Sequence, residues 1–366
     1  MASVTGRNTA QLDDAFFEKL AEYGPIGKTL GMVIRPAFVA PPGQTYVWGD
    51  WSAIEARVLP WLAASPGAQK QLDVFLASDH DKTRPDVYVY NAAQLLGVDP
   101  QVMWDAFMEG EKWAKDGRQS HGKVPVLSLG FGGATGALMK MAINYQVYLS
   151  EAQAQQMVDG WRAANMWAKD FWGAFRTDRH TGEVVAATGL WGAANMALRN
   201  PGEAFPAGRV AYVFDPDYMH GTLFCGLPNG GVLTYPQCKY RTKTVKDKDT
   251  GEEKEVFALW FRKGYGWSSL WYGKLAENIT QAVAGRILRE TLVALGKLDV
   301  RHGGLLSTVG HTHDEIVVQC DDNPKVVPHV KALLHATMLA APEWRADLPL
   351  AVEVTDNWYY SKNQFI

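Results

Sequence analysis

The sequence predicts an α/β fold of the α+β kind, and three widely separated stretches of its 366 residues carry that prediction. Near residue 50 a short strand pattern runs straight into an amphipathic helix pattern. After Gly122 comes a glycine-rich helical pattern, and the final part of the chain combines a long apolar stripe with an antiparallel hairpin pattern. Stretches so far apart can share a site only through tertiary folding.

In the first stretch Pro41-Pro42-Gly43 supplies a turn, and Tyr46-Val47-Trp48 reads as a short buried strand. Ser52 is expected to cap a helix whose Ile54, Val58, Leu59 and Leu62 share one face, which leaves Asp50 at the strand-to-helix junction. In the second, Gly122 to Lys140 reads as one helix with Lys123, Leu127 and Phe131 four apart and stacked along one side. Pro125 is tolerated there only near the first turn, because proline lacks the N–H that an interior position needs.

The third stretch opens with Leu275, Ile279, Val283 and Ile287, continued by Leu292 and Leu295, as the buried side of a long helix. Lys274, Asn278 and Gln281 align on its other side. Beyond Gly303-Gly304, two β-like runs flank the Asp314-Glu315 dyad, as in a hairpin that presents its carboxylates at the tip. Between Tyr235 and Phe261, β-rich runs flank the charged stretch 246–251, read as the solvated turn of another hairpin.

With 47% hydrophobic and 20% charged residues, the chain can bury one large core or two to three subdomains and shows no compositional sign of disorder. It has neither a signal-peptide pattern nor a run of about 18 apolar residues, so no membrane partner and a cytoplasmic location are expected. Cys225, Cys238 and Cys320 are far apart and form no CxxC pair, which points to reduced thiols. A net charge of −3 argues weakly against a nucleic-acid binder, yet carboxylates that hold metal would offset cations that hold phosphate. Most of the fourteen tryptophans are expected in the core.

Two carboxylates about 4 Å apart repel by roughly 4 kcal/mol at an effective dielectric near 20, so a site containing both Asp50 and Asp314 needs protons or divalent metal. Magnesium suits phosphate chemistry because it keeps several waters and takes one or two carboxylates plus substrate phosphates. Spacing alone does not select this reading, since a lone Asp at a strand end is more often a helix cap.

Five motifs tip the balance. Asp50-Trp51-Ser52-Ala53-Ile54-Glu55-Ala56-Arg57 resembles the DYSQIELR motif of family A (DNA polymerase I family) DNA polymerases, and five of the eight positions agree. Ile34 to Pro41 resembles the IRxAFxAP segment that precedes it, and Lys123 through Phe131-Gly132 resembles the fingers motif. His313-Asp314-Glu315 is similar to the HDE motif, and Pro349-Leu350 to Asp356-Asn357-Trp358 resembles the family's usual ending. The motifs stand in the family's order across nearly the whole chain, and the Tyr272 to Ala282 segment is most similar to bacteriophage members.

The resemblance implies a palm with an antiparallel sheet into which mainly helical fingers are inserted. It implies palm at 1–70, fingers at 71–268 with a phage-type insertion that includes a β-hairpin near 232–262, and palm again at 269–366. Asp50 and Asp314 would ligate two Mg2+ ions, with Mn2+ able to substitute, and the Trp51 carbonyl would complete the sphere. Glu315 would be an auxiliary carboxylate near the primer end, with His313 on the DNA. Glu55 would be the steric gate that rejects a ribose 2′-hydroxyl. Lys123 would neutralise the incoming triphosphate, Phe131 would stack by the nascent base pair, and Leu127 would influence discrimination against dideoxynucleotides. Arg118 is the first candidate for the fingers arginine, with Gln119 and His121 as competitors, and Tyr88 stands where bacterial relatives carry a triphosphate-binding His. Lys274, Asn278 and Gln281 would read the primer-template minor groove, where acceptors recur at nearly the same places in every base pair.

Thr5-Gly6-Arg7 resembles the motif that normally follows the thumb, with Arg7 touching the primer. The expectation is therefore a fragment, or a split or minimal phage enzyme whose thumb or proofreading function comes from a separate polypeptide. The expected function is template-directed DNA synthesis from deoxynucleoside triphosphates on a DNA primer-template, in the host-cell cytoplasm if phage-encoded. Two alternatives remain: a metal-dependent nuclease, and a non-catalytic or partner-dependent subunit of a split polymerase.

Overall fold

Alternating burial along Gln44–Trp51 builds strand β1, and its glycine sets how closely a helix can approach it. The computed structural model describes residues 18–19, 21–24, 29, 34–178, 180–246, 253–301 and 303–361. Arg7, with its Thr5-Gly6 neighbours, lies outside the described residues, as does the turn at 247–252.

After β1 come helices α1 (Ile54–Ala63), α2 (Pro66–His80), α3 (Val87–Leu96), α4 (Pro100–Met108) and α5 (Lys112–Gly117). A π-helical segment, Arg118–Lys123, leads into α6 (Val124–Leu129), α7 (Thr135–Asn144), α8 (Glu151–Ala164) and α9 (Met166–Trp172). Next are β2 (Ala174–Thr177), β3 (Val184–Thr188), α10 (Gly189–Arg199), β4 (Phe205–Ala207), β5 (Val210–Asp215), β6 (Thr222–Gly226) and β7 (Val232–Pro236). Strands β8 (Lys239–Lys246), β9 (Glu253–Lys263) and β10 (Gly266–Leu270) precede the long α11 (Tyr272–Arg301). The chain continues with β11 (Ser307–Thr312), β12 (Glu315–Asp321), α12 (Val326–Leu339) and β13 (Val352–Asn357). Two compact units result, one of residues 1–51, 289–340 and 352–366, the other of 52–288 and 341–351.

The first unit is an antiparallel sheet in the order β11-β12-β1-β13. Val47, Ile316 and Val318 are fully buried, and α12 covers that face. A Cβ at Gly49 would lie 2.4 Å from Met338 Sδ, so the glycine admits α12 to the sheet. Trp51, on the same side, donates from Nε1 to Met338 O at 3.1 Å. On the other face Trp48 meets Tyr360 edge-on at 5.6 Å, and both pack with Val317 and Tyr46.

The second unit holds α1 to α10, the sheets β4-β5-β6-β7 and β10-β9-β8, and the hairpin β2-β3. Its beginning corrects one expectation. Ser52 does not cap α1; the N-cap is Ala53, in the left-handed region at φ 52 and without a side-chain cap. The Ser52 N–H donates to Ala351 O at 2.9 Å instead, and its carbonyl accepts from Arg57 Nε at 2.8 Å. Arg57, 2% exposed, forks onto both Asp79 oxygens at 2.6 and 2.9 Å and lies 4.2 Å from the Phe75 ring centre.

The helix expected from Gly122 to Lys140 is likewise broken into the end of the π-segment, α6, a turn at 130–134, and α7. The turn forms because Gly132 takes φ 74 and because Gly133 sits so tightly that a Cβ would lie 2.1 Å from Ser128 O. Pro125 occupies the first turn of α6, as its missing N–H requires. Leu275, Ile279, Val283, Ile287 and Leu295 are all fully buried along α11. The three cysteines are free and buried, and burial pushes the Cys225 and Cys238 thiols up to about 12. No described helix is long and apolar enough to cross a membrane.

Candidate active site

In the first unit, Asp50 falls directly across the β1–β12 ladder from Glu315. The Trp51 N–H donates to Asp314 O at 3.1 Å, so the 51/314 position carries the backbone hydrogen bond. The neighbouring 50/315 pair is therefore a non-hydrogen-bonded one, where side chains approach most closely. Asp314 and His313 form the tip between β11 and β12, with His313 exposed in the left-handed region at φ 54. The β-ladder thus brings Asp314 to within one residue of direct pairing with Asp50.

Glu315 is fully buried, and Arg35 Nη1 donates to its Oε2 at 3.4 Å. Arg35 also lies 5.1 Å from the centre of the Tyr360 ring. Burial and then the neighbouring Glu315 carboxylate push the Tyr360 phenol up to about 12, while Arg35 pulls it down. A cavity of about 190 Å³ opens on this face, lined by Phe38, Tyr46, His311, Thr312, Val317 and Tyr360. Sequence reading named the segment around Arg35 but gave that arginine no role; the signal was its place in the IRxAFxAP run. Among the described residues no group of three or more His, Cys, Asp or Glu could hold a metal unaided. Asp50 and Asp314 fit the one or two carboxylates that magnesium takes while drawing the rest of its shell from water and phosphate. They do not fit a closed zinc-type cage.

In the second unit a different set converges. Asp86 caps α3 by accepting from Val89 N at 2.8 Å, and its other oxygen takes Arg118 Nε at 2.8 Å and Nη2 at 2.5 Å. The Arg118 guanidinium lies 5.1 Å from the Tyr88 ring centre and 5.2 Å from that of Phe107. Lys123 Nζ stands 6.0 Å from the Tyr88 ring centre and 5.3 Å from that of Tyr145. Burial raises the Tyr88 phenol to about 12, with Arg118 opposing and Asp86 assisting. Close packing makes this possible, since a Cβ at Gly122 would lie 2.1 Å from Tyr88 O. Tyr88, Arg118 and Lys123 are therefore brought together. Of the two competitors of Arg118, Gln119 donates to Tyr145 O at 3.2 Å, and His121 contacts Ser120 Oγ at 2.8 Å through Nδ1.

The remaining expected residues are placed as follows. Glu55 is half-buried in the first turn of α1, and Leu127 is half-buried in α6. Phe131 is half-buried in the turn after α6, not on the helix that was expected to carry it. Lys274 Nζ pairs with Glu277 at 3.0 Å, Asn278 donates to Tyr235 Oη at 3.2 Å, and Gln281 is exposed.

No protein-family model matches the chain. Over 347 residues, 93% of the chain, it is 31% identical to a DNA polymerase of Bacillus phage SP02. The chain is similar to a phage DNA polymerase. It spans 45% of that polymerase's length. The fold of the chain also matches a solved structure, the POL domain of Pol1 from M. smegmatis in complex with DNA primer-template and dNTP. That match has a TM-score of 0.53 over 92% of this chain and 43% of the other, at 14% identity, so it speaks to fold alone. Mixed helix and antiparallel sheet, the class expected from sequence, is what both the strand pairing and this match show.

Proposed function

We propose that the chain carries the template-directed DNA-synthesis chemistry of a DNA polymerase, adding deoxynucleotides to the 3′ end of a primer. The observation that carries this reading is the β1–β12 register that sets Asp50 beside the Asp314-Glu315 tip. Likeness to the phage polymerase over 93% of the chain supports it. Asp50 and Asp314, with the Trp51 carbonyl, are the groups that would hold two divalent cations, Mg2+ or Mn2+. When bound, such ions lower the pKa of the attacking hydroxyl and hold phosphate oxygens in line. Glu315, next to Asp314, serves as the auxiliary carboxylate.

The primer 3′-hydroxyl attacks the α-phosphorus of the paired deoxynucleoside triphosphate, the new phosphodiester forms, and pyrophosphate leaves. Lys123 supplies a compact positive charge to the triphosphate. Arg118 joins it on exchanging Asp86 for phosphate, and Tyr88 packs beneath both. Glu55 fills the space of a ribose 2′-hydroxyl, Leu127 and Phe131 border the incoming nucleotide, and Lys274, Asn278, Gln281 and His313 contact the primer-template. The location that goes with this reading is the cytoplasm of the phage's host.

The test is a labelled primer annealed to a longer template, incubated with the chain, Mg2+ and four deoxynucleoside triphosphates. Elongation whose sequence follows the template is expected. A shortened primer would point to the nuclease, and an unchanged primer would refute synthesis by this chain.

A further inference from the structure

The three-stranded sheet β10-β9-β8 has two unlike faces. Leu259, Phe261 and Leu270 are buried on one, where Tyr240 Oη also donates to Asn195 Oδ1. The pairing register puts Lys239, Arg241, Lys243, Arg262 and Trp267 together on the other. Three of these cations surround one ring: Lys239, Arg241 and Arg262 lie 5.1, 4.5 and 5.8 Å from the Trp267 centre. Lys239, Arg241 and Lys243 are exposed, and the register assigns Glu253 and Glu255 to the opposite face.

In a chain of net charge −3 this is a concentrated basic track. Its β8 cations recur about every 6.8 Å, two residues along an antiparallel strand. At the adjoining β9–β10 turn, Tyr265 is fully exposed.

We propose that this face binds single-stranded DNA, the cations taking phosphates and Tyr265 stacking on an unpaired base. A basic track with an exposed aromatic at its end is the arrangement that holds single strands without reading sequence. Charge complementarity selects a polyanion, and stacking requires bases that are not paired. The inference stands on this sheet alone and does not depend on catalysis.

Fluorescence anisotropy of the full chain with labelled oligo(dT), without nucleotides, tests it against Lys239→Gln/Arg241→Gln/Lys243→Gln. The triple variant should bind at least tenfold more weakly, and the slope of log affinity against log salt should become shallower by about 2, near 0.7 per lost contact. Tyr265→Ala should weaken binding several-fold without changing that slope. The charge-retaining Lys239→Arg/Arg241→Lys/Lys243→Arg and the remote Lys70→Gln should bind like the parent. Parental affinity and slope in the triple Gln variant would overturn the proposal, as would a loss confined to duplex DNA.

Discussion

Asp50 and Glu315 face each other across the β1–β12 ladder, two carboxylates at a position where cross-strand side chains come closest. Like charges directly opposite destabilise a sheet, so the pair persists only with positive charge nearby. Arg35 provides part of it through Glu315 Oε2. Arg35→Ala should therefore cost about 2 kcal/mol, the range for a hydrogen bond to a charged group. Adding Glu315→Gln should return part of that loss. Urea denaturation of the double-mutant cycle measures the coupling, and strictly additive costs would deny it.

At Gly122 the π-segment packs directly on the α3 backbone, a Cβ there lying 2.1 Å from Tyr88 O. Gly122→Ala should lower stability by about 1–3 kcal/mol, because the clash is with the Tyr88 backbone and not with a movable side-chain end. Gly136→Ala, with nothing within 4 Å of its Cβ and a place inside α7, should instead gain up to about 1 kcal/mol. Thermal melts of the two variants should move in opposite directions.

Burial holds the His121 imidazole below its ordinary range. The folded chain thus prefers the neutral ring, and between the lowered value and about 6.5 the unfolded chain binds more protons. This contribution to stability is complete above about 6.5 and is lost as pH falls toward the folded value. His121→Gln should flatten the stability profile in that window, as read by chemical denaturation at stepped pH.

Glu55 carries the deoxynucleotide preference in the proposed reaction. Glu55→Ala should raise ribonucleotide incorporation relative to deoxynucleotide by at least tenfold in primer extension. An unchanged ratio would remove Glu55 from that role.

The sheet and hairpin were legible because short β-branched and aromatic runs bounded by turn residues mark strands: Tyr46-Val47-Trp48 and the runs beside Asp314-Glu315 became paired strands. The apolar stripe of α11 was equally plain. Less visible was whatever depended on backbone geometry or distant partners. Ser52 looks like a cap, but the cap position falls one residue later, at a left-handed Ala53, while the Ser52 N–H pairs with Ala351, remote in sequence. At Gly130-Phe131-Gly132-Gly133 the glycines permit a break, but that the helix stops there is set by the left-handed Gly132 and by the close approach of Gly133 to the Ser128 carbonyl. The partners of Arg118 and Arg57, Asp86 and Asp79, lie 32 and 22 residues away, where spacing gives no clue.

Single-turnover primer extension across a magnesium titration, in the parent chain, Asp50→Asn and Asp314→Asn, tests most directly whether the two aspartates share metal for phosphoryl transfer. Each variant should lose at least a thousandfold in maximal rate, about 4 kcal/mol of barrier, while melting at or above the parent temperature because a like charge has been removed. A variant that still extends primer within tenfold of the parent at saturating magnesium would contradict the account.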